Sequence, residues 1–145
     1  MNVISLLTPK AQVGYLYEDY TVRQGLERMR VLGYTALPVL ARDGRYVGTV
    51  SEGDFLWHIL DKGNNSLRAM ERSPLRSILR EDFNPAVSIG VTMEQLVERA
   101  MSQSFVPLVD DRGAFVGIVT RQAIMGRLAL PAAQKEREED FAALA

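Results

Sequence analysis

The sequence predicts an α/β fold of the α+β type, in which two β-α-β-β-α repeats pack against each other. Three observations lead to this prediction. One half of the chain resembles the other, each half opens a helix with a capping motif, and each half then carries two short apolar runs around a glycine turn. A unit of about 60 residues is too small to bury both faces of its sheet alone, so we expect the repeats to share one core.

The duplication is clearest between residues 36–51 and residues 105–120, which match at a constant offset of 69. The matched pairs are Pro38 and Pro107, Gly44 and Gly113, Val47-Gly48 and Val116-Gly117, Val50 and Val119, and Ser51 and Thr120. Upstream, Thr21 and Gln24 match Thr92 and Gln95 at an offset of 71. The second copy has therefore lost two residues between its first helix and its proline, close to Phe105.

Each repeat is predicted to contain two helices. Thr21 and Thr92 are favourable N-caps with glutamine three residues later, which is the spacing of a capping box. The residues behind them keep helical spacing on one apolar face. These residues are Val22, Leu26, Met29 and Leu32 in the first repeat, and Met93, Leu96, Val97, Ala100 and Met101 in the second. A second helix is expected to begin near Ser51 or Thr120 and to end near Leu60 or Leu130.

The apolar runs between the helices predict β-hairpins. In the first repeat, Leu37–Leu40 and Tyr46–Val50 flank the turn at Gly44, and glycine supplies the positive φ that such a turn needs. In the second repeat, Val106–Val109 and Phe115–Val119 flank Gly113 in the same way. Another short extended segment precedes each first helix, at Val13–Tyr17 and at Ala86–Ile89.

The predicted organisation has four parts. The first repeat covers residues 8–62, a linker with a short helix covers 63–80, the second repeat covers 81–130, and a charged helical tail covers 131–145. In the linker, Ser73 and Pro74 suit the N-cap and first position of the short helix. Arg68, Arg72, Arg76 and Arg80 recur at four-residue spacing, which would place them on one helix face beside Glu71 and Glu81.

The composition argues against most catalytic chemistries. The 145 residues include no cysteine and one histidine, His58, which excludes a disulfide framework, a thiolate zinc site, an iron–sulfur cluster and a cysteine nucleophile. A formal net charge of −1 argues against binding to a nucleic acid polymer or an anionic membrane. Because the chain has neither a run of 18 apolar residues nor a secretory signal pattern, we expect a cytoplasmic protein.

The repeated unit resembles the cystathionine-β-synthase (CBS) domain, and two copies in one chain resemble a CBS pair, or Bateman module. Residues 33–39 read Gly-Tyr-Thr-Ala-Leu-Pro-Val and residues 48–54 read Gly-Thr-Val-Ser-Glu-Gly-Asp, which are close to the family's signatures. The likeness covers roughly residues 8–130 and implies a pseudo-twofold packing of the repeats. The layout is also similar to stand-alone bacterial CBS-pair proteins, which include cyclic di-AMP receptors.

The resemblance implies two clefts for adenosine-containing ligands, each formed by both repeats. One repeat would hold the base with its first strand and the segment before Leu-Pro, and the other would contact ribose and phosphate through its Gly-x-x-[Ser/Thr]-x-x-Asp element. The positive end of a helix dipole favours phosphate beside such a hydroxyl. What we term the first cleft would contain Val13, Gly14, Tyr15, Tyr34, Thr35, Ala36, Thr120 and Arg121. The second cleft would contain Ser51, Asp54, Asn84, Pro85, Ala86, Val87 and Phe105.

The implied clefts differ in their polar residues. Ser51 and Asp54 keep the motif of the second cleft, whereas Ala123 stands at the aspartate position of the first. The usual ribose contact is therefore missing from the first cleft, where the planar guanidinium of Arg121 suits a phosphate.

The function implied by the resemblance is regulatory rather than enzymatic. The protein is expected to bind AMP, ADP, ATP or cyclic di-AMP as a regulatory ligand, to require no other cofactor and no metal, and to modulate an unknown partner protein. CBS pairs commonly associate through their helices, so a homodimer is expected, with Trp57 in an apolar contact between subunits. The alternative is a ligand-free CBS-pair scaffold that acts through dimerisation or protein interaction.

Overall fold

Helices and short strands alternate through both halves of the chain in a computed structural model that describes residues 2–61 and 66–130. The helices are α1 (Val22–Leu32), α2 (Glu52–Asp61), α3 (Leu67–Arg72), α4 (Met93–Ala100) and α5 (Arg121–Leu128). The strands are β1 (Thr8–Pro9), β2 (Leu16–Tyr17), β3 (Ala36–Leu40), β4 (Tyr46–Ser51), β5 (Val87–Ser88), β6 (Phe105–Val109) and β7 (Phe115–Thr120). Single 3₁₀ turns cover Val3–Leu6, Lys10–Gln12 and Leu75–Ile78. The predicted tail at 131–145 and the polar residues 62–65 lie outside the described residues.

The strands form two sheets with the same internal pairing. In the first repeat, β2 is parallel to β3 and β3 is antiparallel to β4, and in the second repeat β5, β6 and β7 pair in the same way. Both hairpins share one register, because Pro38 lies opposite Thr49 and Pro107 lies opposite Ile118. The predicted α/β repeats and their hairpins are confirmed, although β2 and β5 are shorter than the extended segments predicted for them.

Both predicted capping boxes are present. The Thr21 hydroxyl accepts a hydrogen bond from the backbone N–H of Gln24, whose side chain accepts one from the backbone N–H of Thr21. Thr92 and Gln95 repeat this exchange at the start of α4. These reciprocal bonds satisfy N–H groups that a helix leaves without intrahelical partners, so the threonines fix where each first helix begins.

The segment that precedes each repeat in the sequence packs against the other repeat. The N-terminal residues pack on the second repeat, where Val3 joins the buried cluster and β1 pairs antiparallel with β7. The segment between the repeats packs on the first, where Met70 and Leu75 join the buried cluster. The structure therefore has an apolar cluster in each repeat instead of the predicted single core, because these segments cover the sheets separately.

The position predicted for the linker helix, beginning at Ser73 and Pro74, is wrong. α3 precedes these residues and is capped by Ser66, while Pro74 leads into the 3₁₀ turn Leu75–Ile78. Ser73 is extended, as proline disfavours helical conformation in the preceding residue, and its carbonyl accepts a hydrogen bond from Val22 at the start of α1. The four regularly spaced arginines consequently do not share a helix face.

Candidate functional site

A cavity of about 300 Å³ lies where the two repeats meet and corresponds to the first cleft. One wall comes from the N-terminal residues Thr8, Gln12, Val13 and Gly14, and another comes from Tyr34, Ala36, Leu37 and Pro38 at the start of β3. Ser104, Phe105, Ile118 and Thr120 from the second repeat complete the lining. Both copies of the repeat therefore contribute to one cavity.

The structure brings five of the eight residues proposed for the first cleft to this cavity. These five are Val13, Gly14, Tyr34, Ala36 and Thr120. Phe105, which the sequence assigned to the second cleft, also lines it, because β6 pairs with β7 so that Phe105 lies opposite Thr120. Sequence reasoning missed Thr8, Gln12, Leu37, Pro38, Ser104 and Ile118. The repeat offset matches Ile118 to Thr49, and the hairpin register places the two residues opposite Pro107 and Pro38.

The other three residues proposed for the first cleft contact groups outside it. Arg121 donates from Nε to the Ala100 carbonyl at 2.8 Å, where a cation is favourable at the end of α4. The Thr35 carbonyl accepts a hydrogen bond from Glu52 at the start of α2. The Tyr15 ring packs edge-on against Tyr17, with 5.7 Å between centroids, and lines an adjacent groove.

Thr120 gives the first cleft its polar end. It is the N-cap of α5, and its Oγ1 accepts a hydrogen bond of 3.0 Å from the backbone N–H of Ala123. Since this bond uses an oxygen lone pair, the hydroxyl proton can still be donated to an acceptor in the cavity. The positive end of the α5 dipole lies at the same place and favours an anionic group there.

The second cleft contains a tightly paired aspartate. Asp54 Oδ2 accepts hydrogen bonds from the Ser51 backbone N–H at 2.8 Å and from the Ser51 hydroxyl at 3.0 Å. Arg80 Nε donates to Asp54 Oδ1 at 2.7 Å, and the Asp54 side chain is only 5% exposed. The guanidinium also lies 3.7 Å from the centroid of the Phe83 ring. The intact Ser-x-x-Asp element is thus bonded to the linker.

Asn84, another residue proposed for the second cleft, belongs to a chain of buried, hydrogen-bonded side chains. Gln103 Nε2 donates to Asn84 Oδ1 at 2.9 Å and to the Pro85 carbonyl at 3.2 Å, while Asn84 Nδ2 donates to Thr49 Oγ1 at 3.1 Å. The Tyr46 hydroxyl donates to the Asn84 carbonyl at 2.8 Å and lies 2.6 Å from Thr49 Oγ1. Asn84 has a φ of 54°, a conformation that asparagine tolerates well.

The remaining residues proposed for the second cleft belong to other parts of the second repeat. Val87 belongs to β5, pairs with Leu108 and is buried in the core of the second repeat. Ala86 lines a groove between β5 and α4. Sequence reasoning missed Arg80, Thr49 and Gln103. Gln103 stands at the repeat position of Tyr34, so the offset could have identified it.

Tyr46 is expected to lower the stability of the protein when the pH becomes alkaline. Burial raises the pKa of Tyr46 to about 12, whereas a tyrosine in an unfolded chain ionises near 10. The stabilising contribution is therefore complete below about pH 10 and is lost as the pH rises from about 10 to about 12. We expect Tyr46→Phe to lose less unfolding free energy than wild type across this range, as measured by urea denaturation. Tyr34→Phe, at an exposed tyrosine, is the control, and equal losses in all three proteins would contradict the expectation.

Within residues 2–61 and 66–130, no helix has the length and apolar character needed to cross a membrane. The same residues hold no cluster of three or more histidine, aspartate or glutamate side chains able to bind a metal ion.

Sequence comparison identifies a known family across most of the chain. A family model described as "CBS domain" matches residues 5–61 and 75–130. The chain is also 30% identical over 112 residues to homoserine O-acetyltransferase of Methanohalophilus mahii, a match that covers 77% of this chain. The chain spans 22% of the length of that curated relative.

Solved structures share the fold. The CbpB protein of Listeria monocytogenes, in complex with cyclic di-AMP, superposes with a TM-score of 0.79 at 21% identity, covering 88% of this chain and 95% of that one. CBSX2 in complex with AMP superposes with a TM-score of 0.70 at 20% identity, covering 86% of this chain and 93% of that one. Both likenesses extend over both repeats, so they describe the whole arrangement and not one unit alone.

Proposed function

The chain belongs to the CBS domain family and contains two CBS domains, and we propose that its first cleft binds an adenine nucleotide as a regulatory ligand. The observation that carries this proposal is the cavity between the repeats, which has apolar strand residues along its walls and the Thr120 hydroxyl at a helix N-terminus. Ligand sites generally combine apolar walls with a few convergent polar groups. The cleft has this composition.

The two ends of the cavity suit the two ends of a nucleotide. Ala36 and Val13 leave space beside Phe105, where a planar base can pack against apolar and aromatic surface. Thr120 would donate its hydroxyl proton to a phosphate oxygen, and the α5 dipole would favour the phosphate charge. Tyr34, which is 57% exposed, stands at the opening and can cover a bound base.

The volume of the cavity supports a single adenosine unit as the occupant. About 300 Å³ is at the lower end of the range for small-molecule sites. AMP, ADP and ATP would each place their one adenosine there, and cyclic di-AMP would place one of its two. The likeness to structures solved with cyclic di-AMP and with AMP supports this ligand class.

A nucleotide held by both repeats would favour one packing of the repeats over others. Such a difference in affinity between two arrangements is what couples a ligand to the binding of a partner. We therefore propose a cytoplasmic sensor that modulates a partner protein, and not an enzyme. A ligand-free scaffold is the second candidate, and the observation that favours it is an exposed apolar surface on the helices.

That surface supports association into a homodimer. α2 and α5 hold equivalent positions in the two repeats, and both expose large apolar side chains. These side chains are Leu56, Trp57, Leu60, Met125 and Leu128. Trp57→Ala is expected to shift the molar mass measured by light scattering from dimer toward monomer, because buried tryptophans commonly dominate interface energies. Val31→Ala, at an exposed residue of α1, is the control, and a monomeric wild type would overturn this part of the proposal.

Isothermal titration calorimetry of nucleotide-free protein tests the proposed ligand. AMP, ADP, ATP and cyclic di-AMP are titrated separately, with GMP to test the base and adenosine to test the phosphate. We expect at least one adenine nucleotide to bind, and adenosine to bind more weakly than AMP. The absence of heat and of any thermal shift with all four adenine nucleotides would overturn the proposal.

A further inference from the structure

We infer that Arg80 occupies the second cleft as an internal ligand, so that only the first cleft exchanges nucleotide. This inference rests on the proposed function for the first cleft, but the closure of the second cleft can be measured without any nucleotide. It assigns different states to the two clefts.

Arg80 contacts the polar groups that would otherwise be available to a ligand. Its Nε donates to Asp54 at 2.7 Å, and its Nη2 lies 3.4 Å from the Ser51 hydroxyl oxygen. Asp54 is 8% exposed, and a buried carboxylate without a partner is strongly unfavourable. An incoming ribose would have to displace the guanidinium from Asp54, so the ion pair would be exchanged for hydrogen bonds from uncharged hydroxyl donors.

The guanidinium also covers an aromatic face. Arg80 Cζ lies 3.7 Å from the centroid of Phe83, within the range of a cation–π contact. The arginine therefore makes three kinds of contact in one place: an ion pair, a hydroxyl contact and stacking on a ring. A nucleotide in this cleft would compete with all three.

The base end of the second cleft is closed as well. Asn84, Gln103 and Thr49 are buried and hydrogen-bonded to one another. An adenine entering here would break these bonds, and a buried amide without its partner is costly. The network joins the first repeat to the second, so its loss would also loosen their packing.

The first cleft has different residues at the corresponding positions. Counting along the repeats, Val13 corresponds to Asn84, Tyr34 to Gln103 and Ile118 to Thr49. Leu7 lies beside Gly117, and Leu79 lies beside Gly48 at the equivalent position of the first repeat. Leu7 and Leu79 therefore correspond, and the residues that follow them, Thr8 and Arg80, correspond as well. Where the second cleft has an arginine and a bonded amide network, the first has the shorter Thr8, the apolar Val13 and Ile118 and the exposed Tyr34 around an open cavity.

Nuclear magnetic resonance of the Arg80 Nε–H group tests the closure directly. We expect a slowly exchanging signal in the ligand-free protein, which Asp54→Asn removes and Asp19→Asn leaves in place, since Asp19 pairs with the exposed Arg42. An Arg80 signal that exchanges as fast as that of an unpaired arginine would overturn the inference. Because the signal is read without ligand, it does not depend on the proposed function.

Titration with AMP supplies the second half of the test. We expect one AMP per chain by calorimetry, with shifts in the Gly14 amide and no change in the Arg80 Nε–H signal. Two AMP per chain, or loss of the Arg80 signal on adding AMP, would overturn the inference. A chain that binds none of AMP, ADP, ATP and cyclic di-AMP but keeps the protected Arg80 signal would refute the proposed function while supporting the closed second cleft.

Discussion

Gly117→Ala is expected to destabilise the protein by about 2 kcal/mol or more, because alanine at this position would overlap the backbone of β1. A Cβ on Gly117 would lie 2.2 Å from the Thr8 carbonyl oxygen and 3.1 Å from Pro9 Cα. Both are backbone atoms, which cannot move aside as a flexible side chain can. For a chain of this size, the expected fall in the thermal midpoint is roughly 2–4 °C per kcal/mol.

Gly48→Ala is the matched control, since Gly48 and Gly117 stand at the same position of the two repeats. The nearest atoms to a Cβ on Gly48 are those of Leu79, at 3.6 Å and beyond, which is ordinary van der Waals contact. Alanine there is expected to change stability by no more than about 1 kcal/mol, in the stabilising direction, because it restricts the unfolded chain. Equal unfolding free energies for the two variants in urea would contradict the close approach of β1 to β7.

The contrast matters for the candidate site because β1 carries Thr8 to the wall of the first cleft. β1 pairs with β7 at Thr8 and Ile118, and both residues line the cavity. Displacement of β1 by an alanine at Gly117 would therefore change the shape of the cleft as well as the stability. Gly117 is needed because β1 passes close to β7 at this position, whereas Gly44 and Gly113 supply the positive φ of the hairpin turns.

The elements that depend on local signals could be predicted from the sequence. Thr21 and Gln24 specify the start of α1 through bonds between residues three apart, and the hairpin around Gly44 needs only a turn between two apolar runs. These interactions lie within a few residues of one another, so their residue types are sufficient. The duplication strengthens these predictions, because each local signal occurs twice.

Contacts between distant segments could not be predicted in the same way. Nothing in the spacing indicates that Val3 belongs to the core of the second repeat, or that Leu75 belongs to the first. Arg80 and Asp54 are 26 residues apart, and the arginine's four-residue spacing pointed to a helix that the structure does not form there. The motif at Ser51 and Asp54 could therefore be recognised from the sequence, but its bond to Arg80 depends on how the linker folds against the first repeat.

The largest effect on ligand binding is expected from Ala36→Phe, which would fill the first cleft with a ring from the chain itself. Ala36 lies opposite Ser51 as Phe105 lies opposite Thr120, so the corresponding strand position already accommodates phenylalanine in the second repeat. The affinity for AMP is expected to fall at least about 100-fold, or about 2.8 kcal/mol, because the added ring and the base would occupy the same space. Calorimetry measures this loss.

Ala36→Gly separates the steric effect from a general disturbance of the strand. It leaves the cavity open and costs about 0.5–1 kcal/mol of stability, so we expect AMP to bind within roughly threefold of the wild-type affinity. If Ala36→Phe stays folded and binds AMP as tightly as wild type, the ligand must lie outside the first cleft. If Ala36→Phe loses AMP binding and Ala36→Gly keeps it, the nucleotide lies in the first cleft, because a cavity of about 300 Å³ does not hold both the added phenylalanine ring and an adenine base.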